Sequence, residues 1–402
     1  MPSVLHVSFA WENNLLNRRH SDYILAMGWM RRGWDVYFYD YRNAGKIGDN
    51  GTITHGVLNS VSVNNPDLII FSKSVGGVHR KNGRLISSSV DPKVIDYIRT
   101  EGFSKPIIHW YLDQRFDLYK PSVDIGKKCD WFFHCASGWR LKEYQAAVNK
   151  PSSFILAPFE PSFCRPVPYE NRTIPLIWMG GSHKQNKFEQ TRHNMLLELI
   201  KKDILKYYFG CFGKRKIWCP EYNKMIGQSK MLLSLYAYDM PLYYSNRLSH
   251  CIGSGTVPLS YDFTDRVKML PDNSGIFFKE TNEAIDKYKY YVNNIRELKE
   301  MGGNAKRVAD EYFTSDKVVD EILFTLKNGY TNLPFGESIN PKNITFDVDY
   351  DYRGEKNGNI HILNENGHVI KINKFNFKKE TPKKVENKTH TPEPLKRRAA
   401  LL

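Results

Sequence analysis

Residues 176–200 read LIWMGGSHKQNKFEQTRHNMLLELI, and the fold prediction starts from this stretch. A short apolar run ends at Gly180-Gly181-Ser182, and apolar residues then return at helical spacing. Such a run bounded by glycine is typical of a buried strand, and the later spacing is typical of a helix. Glycines let a ligand approach the backbone closely, and the N–H groups that begin a helix bind anions. The stretch therefore predicts an anion at the turn, close to Lys184, Lys187 and Arg192.

Strand patterns and helix patterns alternate along both halves of the chain. The strands predicted in the first half are SVLHVSFA (3–10), WDVYFYDY (34–41), PDLIIFSKS (66–74), PIIHWYLD (106–113) and DWFFHCAS (130–137). Those in the second half are PLIWMGG (175–181), LKYYFGCFG (205–213), KMLLSLYAY (230–238), TVPLSYD (256–262) and GIFFK (275–279). Helical patterns lie at 20–32, 94–100, 188–202, 222–229, 247–252, 281–301 and 304–328. This alternation predicts an α/β fold with parallel sheets and with ligands at the carboxyl ends of the strands.

A proline-rich stretch divides the two sets of strands. Residues 157–175 contain five prolines, which is typical of a linker. We therefore predict two doubly wound, Rossmann-like domains that face each other across a cleft, over 1–160 and 176–329, with a linker at 161–175. A small antiparallel β meander is predicted over 330–377, where two Asn-Gly pairs signal turns, and a disordered basic tail over 378–402.

The composition indicates a folded basic protein. Hydrophobic residues make up 41% of the chain, and 58 Lys and Arg against 43 Asp and Glu give a net charge of +15. The tail accounts for +5 of this charge, so the body of the protein is basic as well. A nucleic acid, a membrane surface or a phosphorylated substrate would each match such an excess, and a generic basic protein is the alternative.

The cysteines and the N-terminus indicate in which cellular compartment the protein resides. The six cysteines lack CxxC spacing, which argues against a zinc site or a disulfide framework and favours a reducing compartment. The N-terminal stretch lacks the pattern of a signal peptide, and no apolar run is long enough to span a membrane. We therefore expect a soluble cytoplasmic protein.

Two further turns in the C-terminal half contain glycine, one after a strand and one after a helix. Gly210 ends the strand in FGCFGK, and Arg247 begins the helix that Gly253-Ser254-Gly255 ends. An arginine that faces a crevice from the start of a helix makes bidentate contacts with a diphosphate. An ordinary surface position is the alternative for Arg247. Three glycine-bearing turns in one domain favour nucleotide binding.

The block 245–323 resembles the donor half of GT-B glycosyltransferases of the spore-maturation and group 1 types, in SNRLSHCIGSGTVPLSYDF, NSGIFFKETNEAIDKYKYYV and NAKRVADEYFTSDKVVDEIL. A thinner resemblance over 1–326 is to the phage DNA β-glucosyltransferase family. This resemblance implies a phosphate loop made by Gly180, Gly181, Ser182 and Lys184, and a donor-binding role for Arg247. The family has a ribose-binding glutamate where His250 stands here, and a histidine would still hydrogen-bond a ribose hydroxyl. The metal-associated aspartate of the family would correspond to Asp239, at a different spacing, with Mg²⁺ or Mn²⁺ as the ion.

The resemblance also implies a catalytic base in the N-terminal half. The family places Asp-x-Arg at a strand end, and HWYLDQRFD (109–117) supplies Asp113 and Arg115. Direct displacement of a nucleoside diphosphate from a sugar needs a base for the acceptor hydroxyl and cations for the leaving group. We therefore predict inversion at the anomeric carbon with Asp113 as the base; a helix N-cap is the alternative role. His109, within the same apolar strand, is predicted to be a core residue.

The leading functional hypothesis is the transfer of a sugar from a UDP-sugar to a 5-hydroxymethylated pyrimidine in duplex DNA, in the host cytoplasm if the protein is phage-encoded. FSKSVGGVHRKNGRL (71–85) resembles the Gly-Gly loop that lies beside the acceptor in the DNA-modifying family. The basic residues predicted to contact the DNA are Arg18, Arg19, Lys73, Arg80, Lys81, Arg84 and Arg115. For each of them a solvated loop charge is the alternative.

Two other hypotheses stay open. The same chemistry would serve a polysaccharide, a protein or a lipid-linked sugar as the acceptor. A third hypothesis is a non-catalytic DNA-binding module with a degenerate transferase fold, and His250 in place of the glutamate favours it. Titration with UDP separates this last hypothesis from the other two.

Overall fold

The structure, a computed structural model, describes residues 1–8, 21–41, 44, 50–72, 78–81, 84–87, 89–113, 117–164, 166–182, 184, 187–217, 221–236, 238–341 and 346–373. Its strands are β1 (Ser3–Ser8), β2 (Asp35–Asp40), β3 (Leu68–Ser72), β4 (Val78–Lys81), β5 (Arg84–Ser87), β6 (Ile107–Tyr111), β7 (Trp131–His134), β8 (Ser152–Phe154), β9 (Ile174–Met179), β10 (Tyr207–Phe209), β11 (Ser229–Ser234), β12 (Val257–Tyr261), β13 (Ile276–Phe278), β14 (Ser338–Ile339), β15 (Ile360–Leu363) and β16 (Val369–Asn373). Its helices are α1 (Ser21–Arg31), α2 (Asn50–Asn64), α3 (Lys93–Thr100), α4 (Lys120–Gly126), α5 (Gly138–Val148), α6 (Lys187–Lys201), α7 (Glu221–Gly227), α8 (Asn246–Gly253), α9 (Arg266–Met269), α10 (Thr281–Asn293), α11 (Ile295–Val308) and α12 (Ser315–Asn328). The predicted basic tail lies outside the described residues.

The first sheet is built mainly from the N-terminal half, in the order β14-β8-β7-β6-β3-β1-β2-β15-β16. Its central strands β1, β3, β6 and β7 are parallel and buried along their whole length. Strands covered on both faces read as continuous apolar runs, which is why the sequence predicted them. The strand order reverses at β1, which pairs with β2 on one side and β3 on the other. Such a reversal opens a crevice at the carboxyl ends of the strands.

The second sheet contains five strands within the described residues and lies in the C-terminal half. Its order is β10-β9-β11-β12-β13, and all neighbours are parallel. The order reverses between β9 and β11, because β9 pairs with both β10 and β11. The α/β fold with parallel sheets is therefore confirmed, and this second switch point defines a second crevice.

Several helices differ from the sequence prediction. The predicted helix 281–301 is interrupted at Asn294, where φ is −103° and ψ is 64°, so α10 and α11 are separate. The predicted helix 304–328 is likewise broken, because Thr314 is extended between a π-helical turn and α12. Helix α2 was not predicted at all. It is rich in Gly, Thr, Ser, Val and Asn, which have low helix propensity, and the burial of Ile53 and Val57 against the first sheet stabilises it instead.

The two halves are joined by two crossing segments that lie side by side. The backbone N–H of Phe159, in the proline-rich stretch 157–175, donates to the carbonyl of Phe313 at 2.9 Å. Helix α12 then packs on α1, where a β-carbon at Gly28 would overlap the backbone of Ser315. One apolar core runs through this junction and includes Phe159, Leu248 of α8 and Val319 of α12. The last helix of the predicted C-terminal domain therefore packs on the N-terminal half.

The segment predicted as a separate meander is an extension of the first sheet. Strands β15 and β16 form the predicted antiparallel pair, but β15 also pairs in parallel with β2. Strand β14 joins the opposite edge through β8. A close fit between Gly358 and the backbone of Trp34 holds the segment against the N-terminal half. The predicted β meander is therefore part of the first sheet, since two strands alone rarely bury enough apolar surface to fold independently.

Candidate active site

Arg247 lies at the switch point of the second sheet. Its Nε donates to the carbonyl of Met179, the last residue of β9, at 2.7 Å. Its Nη1 donates to the carbonyl of Leu235, directly after β11, at 3.3 Å. The guanidinium carbon lies 4.1 Å from the ring centroid of Trp178, whose indole is buried. The arginine predicted to hold the donor is therefore fixed where the strand order reverses, the position at which doubly wound sheets bind ligands.

The glycine turns are packed around this arginine. The N–H of Gly180 donates to the carbonyl of Phe209 at 3.0 Å, which joins the end of β9 to the end of β10. Gly210 follows with a φ of +81°, a conformation that favours glycine. A β-carbon at Gly180 would overlap Nη2 of Arg247. The structure thus brings together three of the residues that the sequence assigned to the nucleotide: Gly180, Gly210 and Arg247.

The remainder of the predicted phosphate loop lies between β9 and α6. Nδ1 of His193, on α6, donates to the carbonyl of Ser182 at 3.1 Å and so ties the turn to the helix. Gly181 and Ser182 are half-buried, and Lys184 is exposed. The positions of these three residues are compatible with an anion at the turn, and their role remains a prediction.

Arg192, one of the basic residues that follow the predicted anion-binding turn, adds a second guanidinium. Its side chain is 11% exposed, and its ion pair with Glu189 on the same helix is long, at 3.6 Å. Its Nε has no hydrogen-bond partner within the described part of the chain. Burial lowers the pKa of Arg192, and the charge of Glu189 opposes this shift. Both Arg192 and Arg247 lie close enough to Cys211 to lower its pKa, although burial raises that pKa overall.

His250 is not brought to the crevice. Its side chain is 2% exposed, and its Nδ1 lies 3.3 Å from Sγ of Cys164. Its ring packs edge-on against Tyr222 at a centroid distance of 5.7 Å. Helix α8 packs this face into the protein interior, so the predicted contact between His250 and a ribose does not fit the structure.

Asp239 has a partner that is not a metal. Its Oδ1 accepts hydrogen bonds from the N–H and the hydroxyl of Thr264, both at 3.1 Å, and so joins the loop after β11 to the loop after β12. Among the described residues, no three His, Cys, Asp or Glu side chains are grouped as a metal site requires. The role of Asp239 in holding Mg²⁺ or Mn²⁺ therefore stays a prediction, and we derive no step through a metal.

Asp113 lies at the carboxyl end of β6 and is exposed. Its backbone neighbour Leu112 accepts a hydrogen bond from the thiol of Cys135, which directly follows β7, at 2.9 Å. Tyr243 of the C-terminal half lies within electrostatic reach of this point. Burial raises the pKa of Tyr243, the charges of Cys135 and Asp113 raise it further, and Arg192 opposes them. The predicted base therefore lies on the side of the N-terminal sheet that the C-terminal half approaches.

Two direct contacts join the halves beside the site. The N–H of Ser137, after β7, donates to the carbonyl of Pro241 at 2.9 Å. Asn246, at the start of α8, donates from its side-chain amide to the hydroxyl of Ser21, at the start of α1. Arg247 follows Asn246 directly in the chain. The start of α8, where Arg247 lies, is therefore in direct contact with the start of α1.

The predicted DNA contacts are only partly described. Arg80 and Lys81 lie on β4 and Arg84 on β5, which form an antiparallel hairpin after β3. Arg18, Arg19, Lys73 and Arg115 lie outside the described residues. The chain segments that contain Arg18, Arg19 and Lys73 follow β1 and β3, the two strands at the switch point of the first sheet.

The prediction for His109 is confirmed, because its side chain is fully buried. Its Nδ1 donates to the carbonyl of Phe71 at 2.7 Å, and its Nε2 accepts from the hydroxyl of Ser122 at 2.8 Å. Burial lowers the pKa of His109 to about 4, and the hydrogen bond to Phe71 opposes this shift. His109 is therefore a neutral core residue at neutral pH.

Comparisons with known proteins agree with this geometry. Residues 192–323, from Arg192 on α6 into α12, match a family described as glycosyl transferase-like. No curated relative matches the sequence. Among the described residues, no helix is both long and apolar enough to cross a membrane.

Solved structures of glycosyltransferases share the fold at low sequence identity. HepE from Anabaena in complex with UDP-glucose is 9% identical with a TM-score of 0.53, over 81% of this chain and 99% of HepE. Sucrose-phosphate synthase from Thermosynechococcus elongatus is 10% identical with a TM-score of 0.51, over 79% and 96%. An alpha-glucosyltransferase in complex with UDP and a 13-mer DNA containing an HMU base is 10% identical with a TM-score of 0.50, over 79% and 98%.

Two findings bear on the class of the protein. Its fold is that of the GT-B glycosyltransferases HepE and sucrose-phosphate synthase, and residues 192–323 match a glycosyl transferase-like domain. The match to the glycosyl transferase-like family falls on the half that contains Arg247.

Proposed function

We propose that the protein transfers a sugar from a UDP-sugar to the hydroxyl of a 5-hydroxymethylated pyrimidine in duplex DNA. The observation that carries the donor half of this proposal is the position of Arg247, held by the carbonyls of Met179 and Leu235 at the switch point. The UDP and UDP-glucose complexes of structurally similar proteins support uridine as the nucleoside of the donor.

Charge and fold support DNA as the acceptor. The chain carries +15, of which most lies outside its basic tail, and phosphate contacts by Lys and Arg supply much of the affinity for DNA. The alpha-glucosyltransferase whose structure contains a DNA 13-mer shares the fold over 79% of this chain. A glycan acceptor is the second candidate, because HepE and sucrose-phosphate synthase share the fold equally well.

The proposed mechanism is a single displacement at the anomeric carbon. The carboxylate of Asp113 takes the proton of the acceptor hydroxyl as its oxygen attacks, and the bond to the β-phosphate oxygen breaks on the opposite face. Arg247, with Arg192 beside it, stabilises the charge that develops on the leaving diphosphate. An α-linked donor would then give a β-linked product.

One mass measurement tests donor and acceptor together. The protein is incubated with a hydroxymethylated duplex and one UDP-sugar at a time, for each sugar of a panel. A mass increase of the strand by one hexose or pentose supports the proposal and names the sugar. Transfer to an oligosaccharide while the duplex stays unmodified would instead support the glycan acceptor. The coupling constant of the anomeric proton in the product decides between inversion and retention.

Calorimetric titration with UDP tests whether the fold is a working transferase. We expect saturable binding by the wild type and at least a tenfold weaker Kd for Arg247→Lys, because an ammonium cannot contact both carbonyls and stack on Trp178. Arg296→Lys, on the exposed face of α11, is the matched control and should leave the Kd unchanged. Absence of UDP binding by the wild type would favour the non-catalytic alternative.

A further inference from the structure

The loop 239–245, which precedes α8, contacts both halves of the protein. The carbonyl of Pro241 accepts a hydrogen bond from the N–H of Ser137, in the N-terminal half, at 2.9 Å. Directly after the loop, the side-chain amide of Asn246 donates to the hydroxyl of Ser21 on α1. The loop therefore lies at the junction of the halves and leads into the helix that carries the proposed donor-binding arginine.

The backbone of this loop is strained and held in place. Leu242 has a φ of +56°, in the left-handed region that leucine rarely adopts, and its side chain is buried. Its N–H donates to the carbonyl of Thr264 at 3.0 Å, and Asp239 accepts from the N–H of the same threonine. The hydroxyl of Tyr244 accepts from the N–H of Ala157 at 2.9 Å. Strained residues persist only where their surroundings hold them, and they cluster at active sites. The residue between Leu242 and Tyr244 is therefore fixed in position.

That residue is Tyr243, and charged groups from both halves act on its phenol. After burial, the charges of Cys135 and Asp113 in the N-terminal half raise the pKa of Tyr243 further. Arg192 in the C-terminal half lowers this pKa. Such influences are strong only within about 10 Å. The phenol therefore lies near both the proposed base and one of the cations proposed to hold the diphosphate.

The path of the chain places Tyr243 there independently of any charge. Tyr243 lies two residues after Pro241, and the partner of Pro241, Ser137, lies two residues after Cys135. The thiol of Cys135 donates to the carbonyl of Leu112 at 2.9 Å, and the next residue is the proposed base. Each of these two-residue steps spans at most about 7 Å. The loop and the strand end that carries the proposed base are therefore close neighbours.

The hydroxyl of Tyr243 is suited to bind a polar ligand. It makes no hydrogen bond within the described part of the chain, whereas the hydroxyl of the neighbouring Tyr244 is bound to a backbone N–H. The side chain of Tyr243 is only partly buried, so its hydroxyl is open to a ligand. Because its pKa is raised, the phenol keeps its proton at neutral pH and can donate it in a hydrogen bond. A sugar hydroxyl is an acceptor of matching chemistry.

We propose that the hydroxyl of Tyr243 donates a hydrogen bond to the sugar of the bound UDP-sugar and so holds the anomeric carbon between Asp113 and the leaving diphosphate. This inference rests on the donor of the proposed function and is independent of the acceptor. UDP alone has no sugar for the phenol to contact. Loss of the hydroxyl should therefore weaken the binding of a UDP-sugar and leave the binding of UDP unchanged.

The test compares Tyr243→Phe with the wild type in calorimetric titrations with UDP and with UDP-glucose. The variant keeps the ring and its packing and loses only the hydroxyl, and denaturant titration establishes that its stability is unchanged. We expect its Kd for UDP-glucose to rise about two- to tenfold, the loss typical of one neutral hydrogen bond, and its Kd for UDP to match the wild type. Tyr288→Phe, at a partly buried position on α10, is the matched control and should bind both ligands as the wild type does.

Failure of this inference and failure of the proposed donor give different results. An unchanged Kd of Tyr243→Phe for UDP-glucose, in a protein that binds UDP, would overturn the role of Tyr243 and leave the donor in place. An equal loss for UDP and for UDP-glucose would also overturn the contact with the sugar, because the effect would then lie at the nucleotide or in the packing of the loop. A wild type that binds neither ligand would overturn the proposed donor as well.

Discussion

The guanidinium of Arg247 occupies the space that a β-carbon at Gly180 would need. The same guanidinium is held by backbone carbonyls of two strands and by the face of Trp178. The proposed donor site therefore depends on a close fit between a glycine of one loop and an arginine of another. The glycine at 180 is required for space, since its φ is not in the left-handed region.

Gly180→Ala should weaken the binding of UDP at least tenfold, because the added methyl group displaces Arg247 from its carbonyl partners. Titration calorimetry measures the change, and circular dichroism establishes that the variant is folded. The matched control is Gly303→Ala, on α11, where a β-carbon would meet no atom within 4 Å. An unchanged Kd for Gly180→Ala would show that Arg247 does not hold the donor.

Asp113→Asn should lower kcat by a hundredfold or more, since general base catalysis contributes about 10²–10⁴-fold to rates. The Kd for UDP should stay the same, because Asp113 lies in the half opposite Arg247. Steady-state rates on the preferred acceptor measure the effect, and Asp117→Asn, at a nearby exposed position, is the control. Turnover within about threefold of the wild type would rule out the role of base.

Glu160→Gln should destabilise the junction between the halves. Glu160 is fully buried in the proline-rich stretch 157–175, forms an ion pair with Arg31 of α1 and accepts from the hydroxyl of Ser315 at 2.7 Å. Because hydrogen bonds to charged groups contribute about 1.5–3 kcal/mol, we expect a loss of this size in the free energy of unfolding. Denaturant titration measures it. The exposed change Glu300→Gln, on α11, should leave the stability unchanged, and an equal loss in both variants would contradict the assignment.

Stability should fall as the pH is lowered from about 6.5 to about 4, because of His109. Burial lowers the pKa of this residue from 6.5 to about 4, so the unfolded chain binds a proton that the folded protein excludes. This pKa difference stabilises the folded protein by about 3 kcal/mol above pH 6.5. The contribution is lost as the pH falls to about 4.

Urea unfolding at pH 7.5 and pH 5 checks this expectation for His109. Between pH 7.5 and pH 5, the free energy of unfolding of His109→Asn should fall by about 2 kcal/mol less than that of the wild type. His55→Asn removes an exposed imidazole and serves as the control. The same pH dependence in His109→Asn and in the wild type would disprove the assignment.

The sequence by itself determined the central strands of both sheets, the α/β class and one feature of the site. Strands buried on both faces need continuous apolar runs, so β1, β3, β6 and β9 were visible as such runs. The glycine turn after β9 was visible because only glycine leaves room for Arg247. Helix α2 was not visible, since its stability comes from packing and not from the propensity of its residues.

Only the tertiary structure decided which residues share a surface. His250 stands where the resemblance implies a ribose ligand, yet α8 packs that face against Cys164. Arg192 carries no motif, and it becomes significant because the fold brings it, like Arg247, close to Cys211. Strand β15 pairs with β2 although more than 300 residues separate them in the chain. A linear pattern records which side chains are buried locally, whereas contacts between distant segments depend on how the sheets and crossing helices pack together.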